Sequence, residues 1–357
     1  MRRFAAVLAA ACLLSVVAAP ASADYTPPPI KHVFVIVLEN KGYDETFGPG
    51  SQAPYLSTQL TAQGQLLTQY YGIGHQSLAN YVAMVSGQAP NAQTQSDCQI
   101  YHDVTPGVQG SDGQAVGQGC VYPAWTQTIA GQLASTGQTW KGYMEDMGTN
   151  CRHPAPGQPD DTQTAKPNDQ YAARHNPFVY FHSLLDSGAC AANDVPLTQL
   201  STDLGAAATT PNLAFITPNL CHDGHDTPCV NGEPGGLQSA DAFLQNWIPQ
   251  IQASPAYSEG SLIVVAFDEA ESGDATACCG EMPGPNTVNP GGPTPGPGGG
   301  RTGMVLIGQH IAAGTTNATP YNHYALLRSL ENIFGVGYLG YAGQSGLQAF
   351  GSDVYTP

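Results

Sequence analysis

The run His32-Val33-Phe34-Val35-Ile36-Val37-Leu38 stops at Glu39-Asn40. Six consecutive apolar residues, four of them β-branched, predict a strand buried on both faces, with polar side chains at its C-terminal end. Two later segments repeat the design. Residues 262–267 (LIVVAF) meet Asp268-Glu269 at once, and residues 213–216 (LAFI) lead through Thr217-Pro218-Asn219 into Cys221-His222-Asp223-Gly224-His225-Asp226. Residues 304–307 (MVLI) supply a fourth buried strand.

Between these runs the spacing predicts helices over 77–85, 125–134, 239–251 and 321–334, the last with Tyr324, Leu327, Leu330, Ile333 and Phe334 at helical intervals. Alternation of strand and helix implies an α/β fold with a mainly parallel central sheet flanked by helices. In such folds ligands bind beyond the C-terminal strand ends, so the three polar clusters are expected to converge in one crevice. Residues 280–300 are Gly/Pro-rich and without periodicity; they either cover that crevice or connect two elements, and the connector is the expected reading. Residues 88–120 and 148–170 read as irregular as well, and no internal repeat is visible.

Composition narrows the partners. The 357 residues carry 10 Lys+Arg against 27 Asp+Glu, a formal charge of −17, too few cations to neutralise a run of nucleic-acid phosphates or to hold an anionic membrane surface. A small anionic substrate held by a bound metal ion remains compatible with that balance. Arg2 and Arg3, an apolar stretch over 4–19 and the small residues Ala21-Ser22-Ala23 read as a secretory signal with cleavage expected after Ala23. No later segment reaches membrane-spanning length, so residues 24–357 are expected to form a single secreted domain without stable membrane insertion. Removing the leader leaves eight cysteines, an even number that suggests disulfides in an exported chain. Proximity in sequence pairs Cys98 with Cys120, Cys151 with Cys190 and Cys221 with Cys229, whereas adjacent Cys278 and Cys279 would be strained if bonded to each other.

Several residues have the chemistry of a site. Glu39, Asp268 and Glu269, with the amide of Asn40, are hard oxygen ligands past strand ends where a divalent cation could gather them, although helix caps and solvated loop acids look the same in sequence. Ser77 stands where a loop enters a helix, which suits either an N-cap or a nucleophile near backbone N–H groups. No G-x-S-x-G elbow is present, so activation by a metal is the expected route. His222, Asp223, His225 and Asp226 form the densest titratable cluster, and His323 opens the last helix. Such histidines bind metal, hold a phosphoryl oxygen or protonate a leaving group. His75 stays open, while His102, His153, His182 and His310 read as structural.

Six segments in order carry a family resemblance: residues 37–48 (VLENKGYDETFG), 75–81 (HQSLANY), 171–178 (YAARHNPF), 217–226 (TPNLCHDGHD), 267–269 (FDE) and 321–324 (YNHY). Together they resemble the secreted phosphoesterase family of bacterial acid phosphatases and phospholipases C. The resemblance implies an alkaline-phosphatase-like α/β sandwich, and the family's smaller secreted members include phosphatases described as acting on phosphatidylinositol 3-phosphate. It implies that Glu39 and Asn40 form the first metal-binding pair, Asp268 and Glu269 the second, and Ser77 the metal-bound nucleophile. It also implies catalytic roles for His225 and His323, and Asn80, His222 and Asp226 are expected to contact substrate. Two positions depart from the pattern: Gln76 stands where the family commonly has Pro, and His222 where it often has Asn.

The expectation is a metal-dependent phosphomonoesterase working through a phosphoserine on a small phosphate ester or a phosphoinositide head group. The ion is calcium by the oxygen ligands, or zinc if imidazoles join. A phospholipase C-type phosphodiesterase and a non-catalytic, metal-stabilised exported binding protein are the alternatives.

Overall fold

A computed structural model describes residues 25–356. The expected leader, residues 1–23, lies outside the described residues. Eight strands form the central sheet: β1 (His32–Leu38), β2 (Gln65–Leu67), β3 (Trp140–Met144), β4 (Asp194–Pro196), β5 (Leu213–Thr217), β6 (Ser261–Phe267), β7 (Met304–Gly308) and β8 (Thr315–Asn317). Their order is β8-β2-β7-β6-β1-β5-β3-β4, and β7 runs antiparallel to both of its neighbours while every other pairing is parallel. Each of the four strands read from the sequence is present, β1 with the bounds expected of it.

β1 sits at the centre, and alternation along it divides the core. Val33, Val35 and Val37 pack on one face of the sheet, against α1 (Ser77–Ser86), α2 (Ile129–Ser135) and α4 (His323–Phe334). Phe34, Ile36 and Leu38 pack on the other, against α3 (Gly236–Gln252). Both faces of β1 are therefore dry, as its unbroken apolar run requires.

Helix boundaries differ from the expected ones where a cap overrides apolar spacing. α2 begins at Ile129 rather than Trp125 because the Thr128 side chain accepts from Gly131 N and starts the helix there. α4 begins at His323 because Asn322 caps it, and Tyr321–Asn322 instead pairs with Tyr70–Tyr71 as a short parallel ladder. Within 88–120, read as irregular, Thr105–Gln109 and Ala115–Gln118 form an antiparallel hairpin.

The three expected disulfides are present, and Cys278 is bonded to Cys279, contrary to the expectation for adjacent cysteines. The segment 280–300 is more than a connector. Gln95 Nε2 donates to the carbonyls of Asn289 and Pro290, and Gly299 N to Gly72 O, which lays the segment along the loop leading to Ser77. A Cβ on Gly292 would meet His75 O at 2.8 Å, so the approach depends on glycine there. No helix among the described residues is long and apolar enough to cross a membrane.

Candidate active site

The register of three parallel strands builds the site. Leu38 lies opposite Phe267, which brings the residues after β1 and β6 side by side, and Asp268 N donates to Leu38 O at 2.9 Å. Glu39 N in turn donates to Asp223 O at 2.8 Å, which draws in the loop after β5. The three clusters thus meet at the C-terminal edge of the sheet, as the topology requires.

Glu39 is wholly buried and takes two hydroxyl donors: Ser77 Oγ at 2.7 Å on Oε2 and Tyr81 OH at 2.5 Å on Oε1. Asn40 adopts φ +56, a turn Asn tolerates, and its N–H donates to Asp268 Oδ1 at 3.1 Å. Glu39, Asn40, Ser77 and Asp268 are therefore brought together. Glu269, also expected among the ligands, is turned to His75 Nδ1 at 2.7 Å, and His75 Nε2 donates to Asp274 O at 2.8 Å.

Ser77 is the first residue of α1, delivered by a turn in which Gln76 has φ +76. Proline is locked near −65°, so the family's usual residue would not fit this turn as it stands. The Leu78 N–H at the helix start is capped by Asp97 Oδ1 at 3.0 Å. Asn80 was expected to meet substrate, but its side chain is spent on that turn. Its Oδ1 accepts from Ile73 N at 2.8 Å and Gly74 N at 3.1 Å, and its Nδ2 donates to Gly74 O at 2.8 Å.

The histidines separate by surroundings. His225 is about one-third exposed; Nδ1 lies 2.8 Å from Asp226 Oδ1 and Nε2 lies 3.4 Å from Arg174 Nη2. Asp226 therefore orients His225. His222 points elsewhere: Nδ1 meets both Glu145 oxygens at 2.9 and 3.0 Å, and Nε2 meets Glu233 at 3.1 Å. Burial opposes its charge, but the bond to Glu145 and the two carboxylates outweigh this and push His222 up to about 9. His323 is buried with Nδ1 on Tyr70 OH at 2.7 Å and Nε2 on the Asp268 carbonyl, so neither nitrogen is left for an ester. Burial drops it to about 4, so it is neutral near pH 7 and holds the Asp268 backbone.

Two groups were given no role in the sequence reading. His175, fully buried, lies between Asp223 Oδ2 (3.1 Å from Nδ1) and Glu39 Oε2 (3.4 Å from Nε2). Arg174 is also buried, with Nε 3.7 Å from Asp97 Oδ2, and sets a guanidinium beside His225. The only sequence signal for either was their place in the segment 171–178, and for Asp223 its place in the 222–226 cluster.

Charge is crowded here. Burial, then the charge of Asp268, pushes Glu39 well above the carboxylate range; burial and Glu269 do the same to Asp268, and burial and Glu39 to Asp223. Burial raises Glu269 and His75 opposes it, leaving about 7. Burial, then the charges of Arg174 and His225, keeps His175 neutral. Asn40 Oδ1, Asp268 Oδ2 and His175 Nε2 are buried without a hydrogen-bond partner. Orphaned acceptors amid desolvated carboxylates are what a divalent cation would satisfy, so these residues fit one.

Comparison with known proteins places this arrangement. The phosphoesterase family model matches residues 49–337, from beyond Asn40 through Ser77, His225, Asp268 and His323. The chain belongs to the phosphoesterase family. This phosphoesterase is 26% identical over 315 residues to a phosphatidylinositol-3-phosphatase of Mycobacterium tuberculosis, covering 88% of this chain and 80% of that one. It is 27% identical over 309 residues to a phosphate-repressible acid phosphatase of Penicillium chrysogenum, covering 85% of this chain but only 59% of the fungal one. An alkaline phosphatase superfamily protein of Vibrio parahaemolyticus superposes with a TM-score of 0.51 at 13% identity, over 90% of this chain and 71% of that one. The α/β architecture is therefore alkaline-phosphatase-like.

Proposed function

We propose that this phosphoesterase is a secreted, metal-dependent phosphomonoesterase with Ser77 as nucleophile. The observation that carries the reading is Ser77 Oγ donating to Glu39 Oε2 at 2.7 Å, beside the orphaned acceptors of Asn40 and Asp268. The phosphatase names of its relatives support the monoester, and the four disulfides among the described residues support export. Phosphoesterases generally use a divalent metal, and Glu39, Asn40, Asp268 and Ser77 would hold it. The ion would lower the pKa of the Ser77 hydroxyl and draw charge from the phosphoryl oxygens.

Ser77 Oγ gives its proton to Glu39 and attacks phosphorus; the bond to the alcohol oxygen breaks and a phosphoserine forms, and Ser77 takes that proton back from Glu39 when water cleaves the phosphoserine. His225 is steadied at Nδ1 by Asp226, and its side chain is about one-third exposed. It donates a proton to the leaving alcohol and takes one from the water that then cleaves the phosphoserine. The buried Arg174 guanidinium, beside Nε2, offsets phosphoryl charge. His323 is a positioning residue, because it touches the Asp268 carbonyl rather than an ester. Asn80 braces the nucleophile turn, and His222 ties its own loop to Glu145 and Glu233. The mycobacterial relative's name makes a phosphoinositide head group one candidate substrate.

The test is hydrolysis of p-nitrophenyl phosphate and of p-nitrophenyl phosphorylcholine by residues 24–357, before and after chelation and with single metals restored. Turnover of the first, lost to chelator and regained with one ion, is expected. Preference for the phosphorylcholine ester would make the enzyme a diesterase, and folded protein inactive on both would leave a binding protein.

A further inference from the structure

The Asp223–His175 pair has the geometry of a carboxylate steering a metal-binding imidazole. Asp223 is wholly buried and fixed from two sides, its Oδ1 accepting from His225 N at 2.8 Å and its Oδ2 lying 3.1 Å from His175 Nδ1. A carboxylate at Nδ1 sets the tautomer with the proton there and leaves the Nε2 lone pair free. The ring cannot swing away, since it stacks on Tyr81 with centroids 5.4 Å apart and planes 8° from parallel, and Tyr81 is tied by its hydroxyl to Glu39.

That free lone pair lies against Glu39, one of the residues proposed to hold the cation. His175 Nε2 is buried, makes no hydrogen bond and lies 3.4 Å from Glu39 Oε2, the oxygen that receives the Ser77 hydroxyl. Single ligand atoms from Glu39, His175 and Asp223 all lie within 4.8 Å of one another. The nearby His75 and His323 have both nitrogens engaged by protein groups.

We infer that His175 ligates the catalytic cation through Nε2, with Asp223 as its positioning residue, and that this nitrogen makes the site select zinc or a similar transition ion over calcium. The inference rests on the metal-dependent reading above and adds to it a ligand and an ion class. Oxygen-only sets suit calcium and magnesium, whereas imidazole shifts preference toward zinc and its neighbours in the transition series.

Calorimetric titration of metal-free wild type, His175→Gln and Asp223→Asn with zinc and with calcium tests it. Zinc affinity is expected to fall about tenfold or more in both variants, with calcium affinity nearly unchanged in His175→Gln. Equal zinc affinity in wild type and His175→Gln overturns the assignment. Because a buried substitution can disturb folding, pulsed electron paramagnetic resonance of Cu²⁺-loaded wild type provides a second measurement. An imidazole ¹⁴N coupling that persists in His222→Gln is expected. An oxygen-only spectrum, or a nitrogen coupling lost in His222→Gln, overturns the ligand alone. Wild type that turns over p-nitrophenyl phosphate while binding no divalent ion overturns the metal reading together with it.

Discussion

Replacing Ser77 by Ala removes the one hydroxyl that both touches Glu39 Oε2 and opens a helix beside the orphaned acceptors. Turnover of p-nitrophenyl phosphate is expected to fall by about a thousandfold or more, with the circular dichroism spectrum unchanged. His222 gives a prediction of another kind. Its folded value of about 9 lies above the ordinary 6.5, so its two carboxylate contacts stabilise the fold fully below about pH 6.5, and that contribution fades as pH rises through 9. His222→Gln is expected to cost about 1 kcal/mol at pH 6, the scale of a partly exposed ion pair, and almost nothing above pH 9.5, read as urea midpoints. At this scale the sequence showed which residues have reactive side chains but not where those side chains point. Glu39, Asn40 and Asp268 converge because strand register leaves them little choice, and Ser77 joins them at the start of α1. His222 and His225 are three residues apart on a turn whose Gly224 has φ +105, and they diverge, one to Glu145 and one to Asp226.

The turn 72–76 and α1 form one unit at the next scale. Asn80 reaches back a full helical turn to hold Ile73 and Gly74 by their amides, and Gly87, at φ +66, closes the helix at its far end. Asn80→Ala leaves two buried N–H groups without acceptors. The expected cost is about 2 kcal/mol, seen in denaturant unfolding, with kcat falling further than KM rises because Ser77 loses its fixed approach. The four apolar runs were legible as strands since each is short and unbroken, and three of them are stopped by polar residues. Helix starts were less so, because Thr128 and Asn322 end their approaching segments through side-chain caps that apolar spacing does not register. The hairpin over 105–118 was hidden by its glycines and by a first strand largely exposed to solvent.

Across the whole molecule, the disulfides among the described residues close segments that lie outside the strands of the sheet. Cys151–Cys190 closes a separation of 39 residues between the loop after β3 and the short helix Ala189–Asn193 before β4. Replacing both cysteines by Ser is expected to lower stability by about 3 kcal/mol through the freed unfolded chain, measured by denaturant midpoint. Local pairs of this kind could be read from spacing, but the contact of segment 280–300 with the nucleophile turn could not, since a Gly/Pro-rich composition carries no address. The bond from Asn40 N to Asp268 Oδ1 spans 228 residues of chain, and it sets the timing of activity. A nascent chain, an unfolded one in transit or a fragment ending before Ser261 holds Glu39 and Ser77 with no β6 to bring Asp268 against them. Hydrolytic capacity therefore appears all at once, late in folding, and a cell that makes this enzyme is shielded from it until the chain has folded.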